Sequence, residues 1–378
     1  MNASAATDAA ARWRDARRVL VVRLDNLGDV LMSSPACAAI AAHAPDMALT
    51  LLASPAGAAA AAHLPMIDGA IEFRAPWMKG DGGPCDDARR LIDELAARRF
   101  DAAIVFTVCT QSALPAAQLL QMAGIPLRLA YCRENPYALL SDWRPETDLR
   151  LVDGMRHEVQ RHLDLVAAVG YGAPAATGLR FGLRARDAHA MRAKFAAAGG
   201  DPGRPYLLVH PGVSAASRRY PAERFGRAAA ALAAASGCQI VFSGAAEEQP
   251  LVDQARSSMP AAAEAVSLAG RLDLGELAAL IAGAEALICN NSGPAHIAAA
   301  VGTPVVVLYA LTNPQHRPWQ ATARVLSHPV PCAPCLKSHC PEGHHACLTG
   351  VPPEAIVAAT LELMRMPRGV PLARPAWA

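Results

Sequence analysis

Residues 286–309 constrain the fold more than any other stretch of the chain. They read Ala-Leu-Ile-Cys-Asn-Asn-Ser-Gly-Pro-Ala-His-Ile-Ala-Ala-Ala-Val-Gly-Thr-Pro-Val-Val-Val-Leu-Tyr. An apolar run, a polar turn, a small-residue segment, a glycine stop and a second apolar run predict strand, helix and strand in succession. Asn290, Asn291, Ser292 and Gly293 stand where the first strand ends, and Pro294 suits the first helical position, where its missing N–H costs nothing. A helix that starts this way offers free backbone N–H groups and a positive dipole end to an anion or to sugar hydroxyls. His296 falls in the first turn and points toward the same space.

The same alternation runs through the rest of the chain. In the first half, strands are expected at 19–23, 48–53, 71–74, 101–108 and 128–131, and helices at 30–43, 88–99, 111–122 and 157–169. In the second half, strands are expected at 206–210, 239–243 and 265–268, helices at 221–235, 247–258 and 274–284, and a last helix at 354–364. Strands that alternate with helices make parallel sheets, so the fold class is α/β, with two Rossmann-like, doubly wound domains. The expected divisions are a flexible extension at 1–17, a first domain at 18–170 and a linker region at 171–203, rich at its start in Gly, Pro and Arg. A second domain follows at 204–350, and a terminal helix and tail at 351–378. In such sheets ligands bind off the carboxyl ends of the strands, where the polar turns of this chain fall.

Composition narrows the function classes. A net charge of +2 over 378 residues leaves no general nucleic-acid footprint. Only three of the 35 basic residues are lysines, and arginine suits bidentate phosphate contacts, although a GC-rich genome gives the same bias. The N-terminus lacks the apolar core of a secretory signal. The uncharged windows 47–67 and 293–312 are broken by Pro and Gly, as turns between buried elements are. A soluble, cytoplasmic protein is expected. Its ten cysteines then read as thiols or ligands before disulfides.

Three further turns carry chemistry. Gly28-Asp29 opens a helix after the first strand. Asp29 could complement the helix dipole, or accept a proton from a hydroxyl nucleophile at the mouth of a cleft. The loop from His210 to Pro221 contains Gly212 and Ser214, whose small size lets backbone approach a phosphate, and Arg218 and Arg219, which could neutralise it or remain solvated. Gly244 to Glu248 repeats the strand–turn–helix pattern, and Glu248 could accept ribose hydroxyls or cap the helix. No G-x-G-x-x-G fingerprint is present, which disfavours dinucleotide redox chemistry.

These four motifs, in this order, resemble the heptosyltransferase-type glycosyltransferases of family nine, over roughly residues 18–365. The tail from Pro331 to Cys347 is similar to the cysteine-containing tail of heptosyltransferase II members. The resemblance implies a GT-B fold of two facing Rossmann-like domains, with the nucleotide-sugar cleft between them and a last helix returning to the first domain. It implies inverting, metal-independent transfer of heptose from ADP-heptose to a lipopolysaccharide inner-core sugar, at the inner face of the inner membrane. Carried over residue by residue, Asp29 is the general base and Arg218 stands where the family usually has lysine against the donor phosphates. Gly28, Gly212, Ser214, Gly244 and Asn291 join the donor site; Glu248 contacts the ribose, and Ser292, Gly293 and His296 bracket the pyrophosphate and sugar. Asn291 replaces the family's frequent Asp; it keeps hydrogen-bonding capacity and loses the charge.

Arg133 and Arg156 are candidates for an acceptor's phosphates, against a bland reading as surface arginines. Cys332, Cys335, Cys340 and Cys347 have a spacing compatible with a structural zinc or iron site, or with packed reduced thiols. Cys37, Cys85, Cys109, Cys132, Cys238 and Cys289 read as small hydrophobes, and His157 and His162, five apart, do not share a helix face as ligands. Two other functions fit the same residues: transfer to a protein such as a surface adhesin, and a non-catalytic nucleotide-sugar or metal-binding protein in which Asn291 marks lost activity.

Overall fold

A computed structural model describes residues 9–78, 83–148, 155–172, 174, 176–260 and 265–366. The chain forms two compact units, Met1–Arg180 and Phe181–Ala378. Each is built on one six-stranded sheet.

In the first unit the elements are β1 (Arg18–Arg23), α1 (Leu27–Ala41), β2 (Ala48–Ala53), α2 (Pro55–Ala61), β3 (Gly69–Glu72) and α3 (Cys85–Arg98). They continue with β4 (Ala102–Val105), α4 (Leu114–Met122), β5 (Leu127–Cys132), β6 (Asp142–Pro145) and α5 (Glu158–Ala167). The sheet order is β3-β2-β1-β4-β5-β6, with every pair parallel. Residues 19–22 and 102–105 are wholly buried, because helices cover both faces of a parallel sheet and leave its central strands uniformly apolar. Strand β6, Asp-Trp-Arg-Pro, carries no apolar alternation and was not legible in the sequence. It is an edge strand, where a proline lacking a donor is tolerated.

The expected flexible extension needs correction within the described residues. Trp13 is fully buried, meets Tyr171 edge-to-face at 6.1 Å and donates its indole N–H to Asp142 at 2.9 Å. Arg12 bonds the other oxygen of Asp142 at 2.7 Å. A buried indole needs both an apolar bed and a partner for its N–H, and β6 supplies the partner. Residues 1–8 of that extension, and 367–378 of the expected tail, lie outside the described residues.

The second unit repeats the design with α6 (Ala185–Ala197), β7 (Tyr206–His210), α7 (Ala222–Ser236), β8 (Gln239–Phe242), α8 (Gln249–Ser257), β9 (Ala265–Ser267) and α9 (Leu274–Gly283). After these come β10 (Ala286–Asn290), α10 (Gly293–Val301), β11 (Val305–Leu308), β12 (Ala323–Leu326), α11 (Ala346–Thr349) and α12 (Pro353–Arg365). Its order is β12-β11-β10-β7-β8-β9, again parallel throughout. Stretch 286–309 therefore contains the strand, helix and strand expected of it. Pro294 is the second helical residue rather than the first, and Gly302, at φ +79°, ends the helix in a conformation that side-chain-bearing residues rarely adopt.

Two boundaries differ from expectation. The second part of the supposed linker is α6, which packs on α9 through buried Ala188, Met191 and Phe195; Lys194 pairs with Glu276 at 2.6 Å. Its apolar positions are spaced three and four apart but dispersed among Arg and Ala, so the stripe is weak in sequence. The terminal helix α12, expected to return to the first domain, buries Ile356, Ala359 and Leu363 in the second unit's core beside Phe225, Ala229 and Leu232 of α7. Its apolar face is consumed there.

Candidate functional site

In both sheets the strand order reverses between the unit's first strand and its fourth, which lie side by side, so β1 and β4, and likewise β7 and β10, diverge into a crevice at their carboxyl ends. Asp29 and most donor-site candidates lie at or beside these two switch points.

At the first, Arg23 is the last residue of β1 and is fully buried. Its Nε lies 3.2 Å from Asp25, its Nη2 donates to Asp29 Oδ1 at 3.2 Å, and its Nη1 lies 3.2 Å from Glu158. Asp29 sits in the first turn of α1. Its second oxygen accepts the Asn26 N–H at 3.2 Å and so caps the helix, and about 15% of its side chain stays exposed. Gly28 is buried in the same turn. Asp25 accepts from Gln111 Nε2 at 2.7 Å, and burial, with Arg23 pulling against it and Asp29 adding to it, raises its carboxyl to about 6.

Behind this row stands a second. Glu158 and Arg161 pair at 2.7 Å on α5, and Arg161 also reaches Asp148 at 2.7 Å and Glu146. Burial opposes the charge on Glu158, but His162, Arg161 and Arg23 outweigh it and hold the carboxyl well below its ordinary range. Burial drives His162 down to about 4, so its ring is neutral, and its Nε2 faces Glu158 at 3.1 Å. That nitrogen carries the proton, since a carboxylate can only accept. Beside Asp25 opens a cavity of about 210 Å³, lined among others by Trp77, Phe106, Thr107, Gln111 and Ser112.

This charged cluster is the part sequence reasoning missed. The available signals were an arginine closing the apolar run 19–22 and the spacing of Glu158, Arg161 and His162, which puts all three on one helical face. Of the two arginines expected to meet acceptor phosphates, Arg133 is exposed, with one contact to the Cys109 carbonyl at 3.4 Å. Arg156 bonds Asp148 at 2.9 Å, Asp164 at 2.8 Å and the Tyr131 hydroxyl at 3.2 Å, and its guanidinium, partly exposed, lies over the Tyr131 ring. His157 caps α5 through its ring nitrogen.

The second switch point is built differently. Asn290, fully buried at the end of β10, donates to the Pro211 carbonyl at 2.7 Å and accepts the Tyr220 N–H at 3.0 Å, so one side chain pins both ends of the 211–220 loop. Glu248 lies over Gly212, where a Cβ would overlap its carboxylate. It also accepts the Ala245 N–H at 2.9 Å and lies 3.7 Å from His210 Nε2. Gly244 packs against the same side chain. Burial lowers the pKa of His210, against the pull of Glu248, and its Nδ1 meets Ser243 at 3.0 Å.

Ser214 is exposed, and Arg218 is half-buried in a short turn anchored to the cysteine-rich tail by Ser217, whose N–H and hydroxyl bond the carbonyls of Ser338 and Lys337. Asn291 is buried and its N–H donates to Leu308; Ser292 is the N-cap of α10, Gly293 its first residue, and His296 is buried in its first turn. Burial pushes Tyr309 up to about 12 while Arg218, Arg317 and Asn291 pull it back, which brings those residues to one neighbourhood. The donor-site candidates of the second unit thus gather at the ends of β7, β8 and β10.

The four tail cysteines are partly buried free thiols. Burial raises Cys347, opposed by a backbone bond to Leu311 and reinforced by Cys340, Cys335 and Cys332, so the four are neighbours. Among the described residues, however, no group of three or more His, Cys, Asp or Glu side chains is arranged to hold a metal ion.

Residues 88–346 match Glycosyltransferase family 9 (heptosyltransferase). Lipooligosaccharide heptosyltransferase 2 of Haemophilus influenzae is 34% identical over 118 residues, 30% of this chain and 34% of that protein. The chain thus spans about a third of that relative's length. Lipopolysaccharide heptosyltransferase 2 of Escherichia coli is 25% identical over 90% of this chain and 96% of its own. The solved structure of E. coli ADP-heptose lps heptosyltransferase II superposes with a TM-score of 0.73 at 23% identity, covering 92% of this chain and 98% of that one.

Proposed function

The chain belongs to glycosyltransferase family 9, and from that premise we propose that it moves heptose from ADP-heptose to a sugar of a lipopolysaccharide inner core. Transfer is inverting and uses no catalytic metal. Asp29 takes the proton from the acceptor hydroxyl as that oxygen attacks the anomeric carbon and ADP departs. On the second unit, Arg218 and the N–H groups at Ser292 and Gly293 stabilise the diphosphate's growing charge, with His296 beside them. Glu248 has acceptor capacity left for ribose hydroxyls, and Gly212, Ser214, Gly244 and Asn291 shape the donor's seat. Gly28 lets α1 start close beneath the reacting group, and Arg133 meets an anionic group on the acceptor.

One observation carries the reading most: Asp29 is oriented by Arg23 through one oxygen and by Asn26 through the other, and about 15% of its side chain stays exposed. Among the described residues no helix is long and apolar enough to cross a membrane. A peripheral encounter with a lipid-linked acceptor at the inner membrane face is therefore part of the proposal.

The test is transfer from ADP-heptose to a heptose-deficient core acceptor. Asp29→Asn should lower kcat/KM by about 10²–10⁴-fold with the fold intact; near-wild-type turnover removes Asp29 as the base. Exhaustive chelation should leave the wild-type rate unchanged. A loss restored by a divalent ion would overturn metal independence.

A further inference from the structure

Arg23 follows four apolar residues, Val19–Val22, at the end of β1, and its side chain is fully buried. Such a cation persists only when surrounded by partners, and here each guanidinium nitrogen lies 3.2 Å from a different carboxylate, Asp25, Asp29 and Glu158, with a hydrogen bond to Asp29. We propose that Arg23 is the positioning residue of the reaction: it fixes the carboxylate of Asp29 and sets its proton affinity, and the share of its charge that Asp29 receives is governed by Asp25 and Glu158. The proposal rests on the reading of Asp29 as base.

The geometry leaves Arg23 no freedom. Glu158 is held from behind by Arg161 at 2.7 Å and faces His162 at 3.1 Å, and Asp25 is held by Gln111 at 2.7 Å. Asp29 is fixed on its far side by the Asn26 N–H. The guanidinium thus works as a rigid three-way bracket between strand β1, the β1–α1 turn and helix α5. The charged and titratable groups around it are Asp25 and Asp29 on the turn, Glu158 and His162 on α5, and Arg161 with Asp148 and Glu146 one layer further back. Three carboxylates divide one positive charge. Removing a competitor strengthens the hold on Asp29, and removing the cation releases it.

The two manipulations therefore move Asp29 in opposite directions, which a purely structural role would not do. Arg23→Gln should carry the acid limb of the kcat/KM profile upward by about 1–3 pH units, because an opposite charge within a few ångströms depresses a carboxyl by that much. Glu158→Gln should carry it downward. Arg23→Lys keeps the charge but not the fork, so the limb should stay near its wild-type position while kcat falls. Titration of the Asp29 carboxyl by NMR in ¹³C-labelled protein reads the same shifts without turnover.

If Arg23→Gln does not fold, Glu158→Gln and Arg23→Lys decide. An Asp29 titration that does not move in Glu158→Gln, or that moves upward, overturns the proposal. Failure of the base reading is a separate result: Asp29→Asn would then turn over normally, whatever the NMR titration of the wild-type residue does.

Discussion

The two switch points have the same topology and opposite chemistry. The first buries charged side chains: Arg23 and Arg161 face Asp25, Asp29, Glu146, Asp148 and Glu158 in direct ion-pair contact. The second relies mainly on amides, small residues and backbone, with Asn290 clamping a loop and a helix start presenting free N–H groups, and its charged groups Glu248 and Arg218 are only half-buried. The difference matches two tasks. Holding a diphosphate asks for many donors and close backbone approach, which small residues supply without bringing charges that must be neutralised. Moving a proton asks for one carboxylate in a fixed orientation, and a buried ionic lattice supplies that rigidity at the cost of desolvation.

The comparison breaks most sharply at Arg161. Arg161→Met leaves three carboxylates without their common cation, and unfolding free energy should fall by about 3–5 kcal/mol in denaturant titrations. A loss within measurement error would mean that the lattice is not what holds the first switch point together.

A smaller effect is expected from pH. The pKa of His162 is depressed in the folded chain from 6.5 to about 4, so its contribution is complete above 6.5 and is lost as pH falls toward 4. At full size that is roughly 3 kcal/mol. Asp25 works in the opposite sense: its raised carboxyl favours folding most below its ordinary pKa of 3.8 and loses that contribution as pH rises through 6. The difference between wild type and His162→Gln isolates the histidine, and it should shrink steadily from pH 7 to pH 4.

Smallest is the second unit's clamp. Asn290→Ala leaves the Pro211 carbonyl and the buried Tyr220 N–H without their partner and should cost about 2 kcal/mol. Because the 211–220 loop carries Gly212 and Arg218, the KM for the nucleotide sugar should rise more than kcat falls. Equal damage to both would place the clamp's role in the fold alone.

Much of this was legible in the sequence. The uniformly apolar strands, the glycine stop at Gly302 and the polar turns after each strand gave the parallel α/β architecture and the places where ligand groups gather. What misled the reading was local weakness of signal. Strand β6 is too polar, helix α6 has its apolar stripe diluted by arginine, and Trp13 stands in an alanine-rich stretch that gives no sign of what buries it.

The sequence by itself determined which residue types stand at the strand ends, because burial on both faces permits only apolar residues until the sheet stops. Only the tertiary structure decided what those residues do. It paired Arg156 with Asp148 and Asp164, made Asn290 a clamp on the 211–220 loop, and joined Arg23 to Glu158, far along the chain. Charge pairing over such separations depends on which helix covers which strand, and no local pattern encodes that.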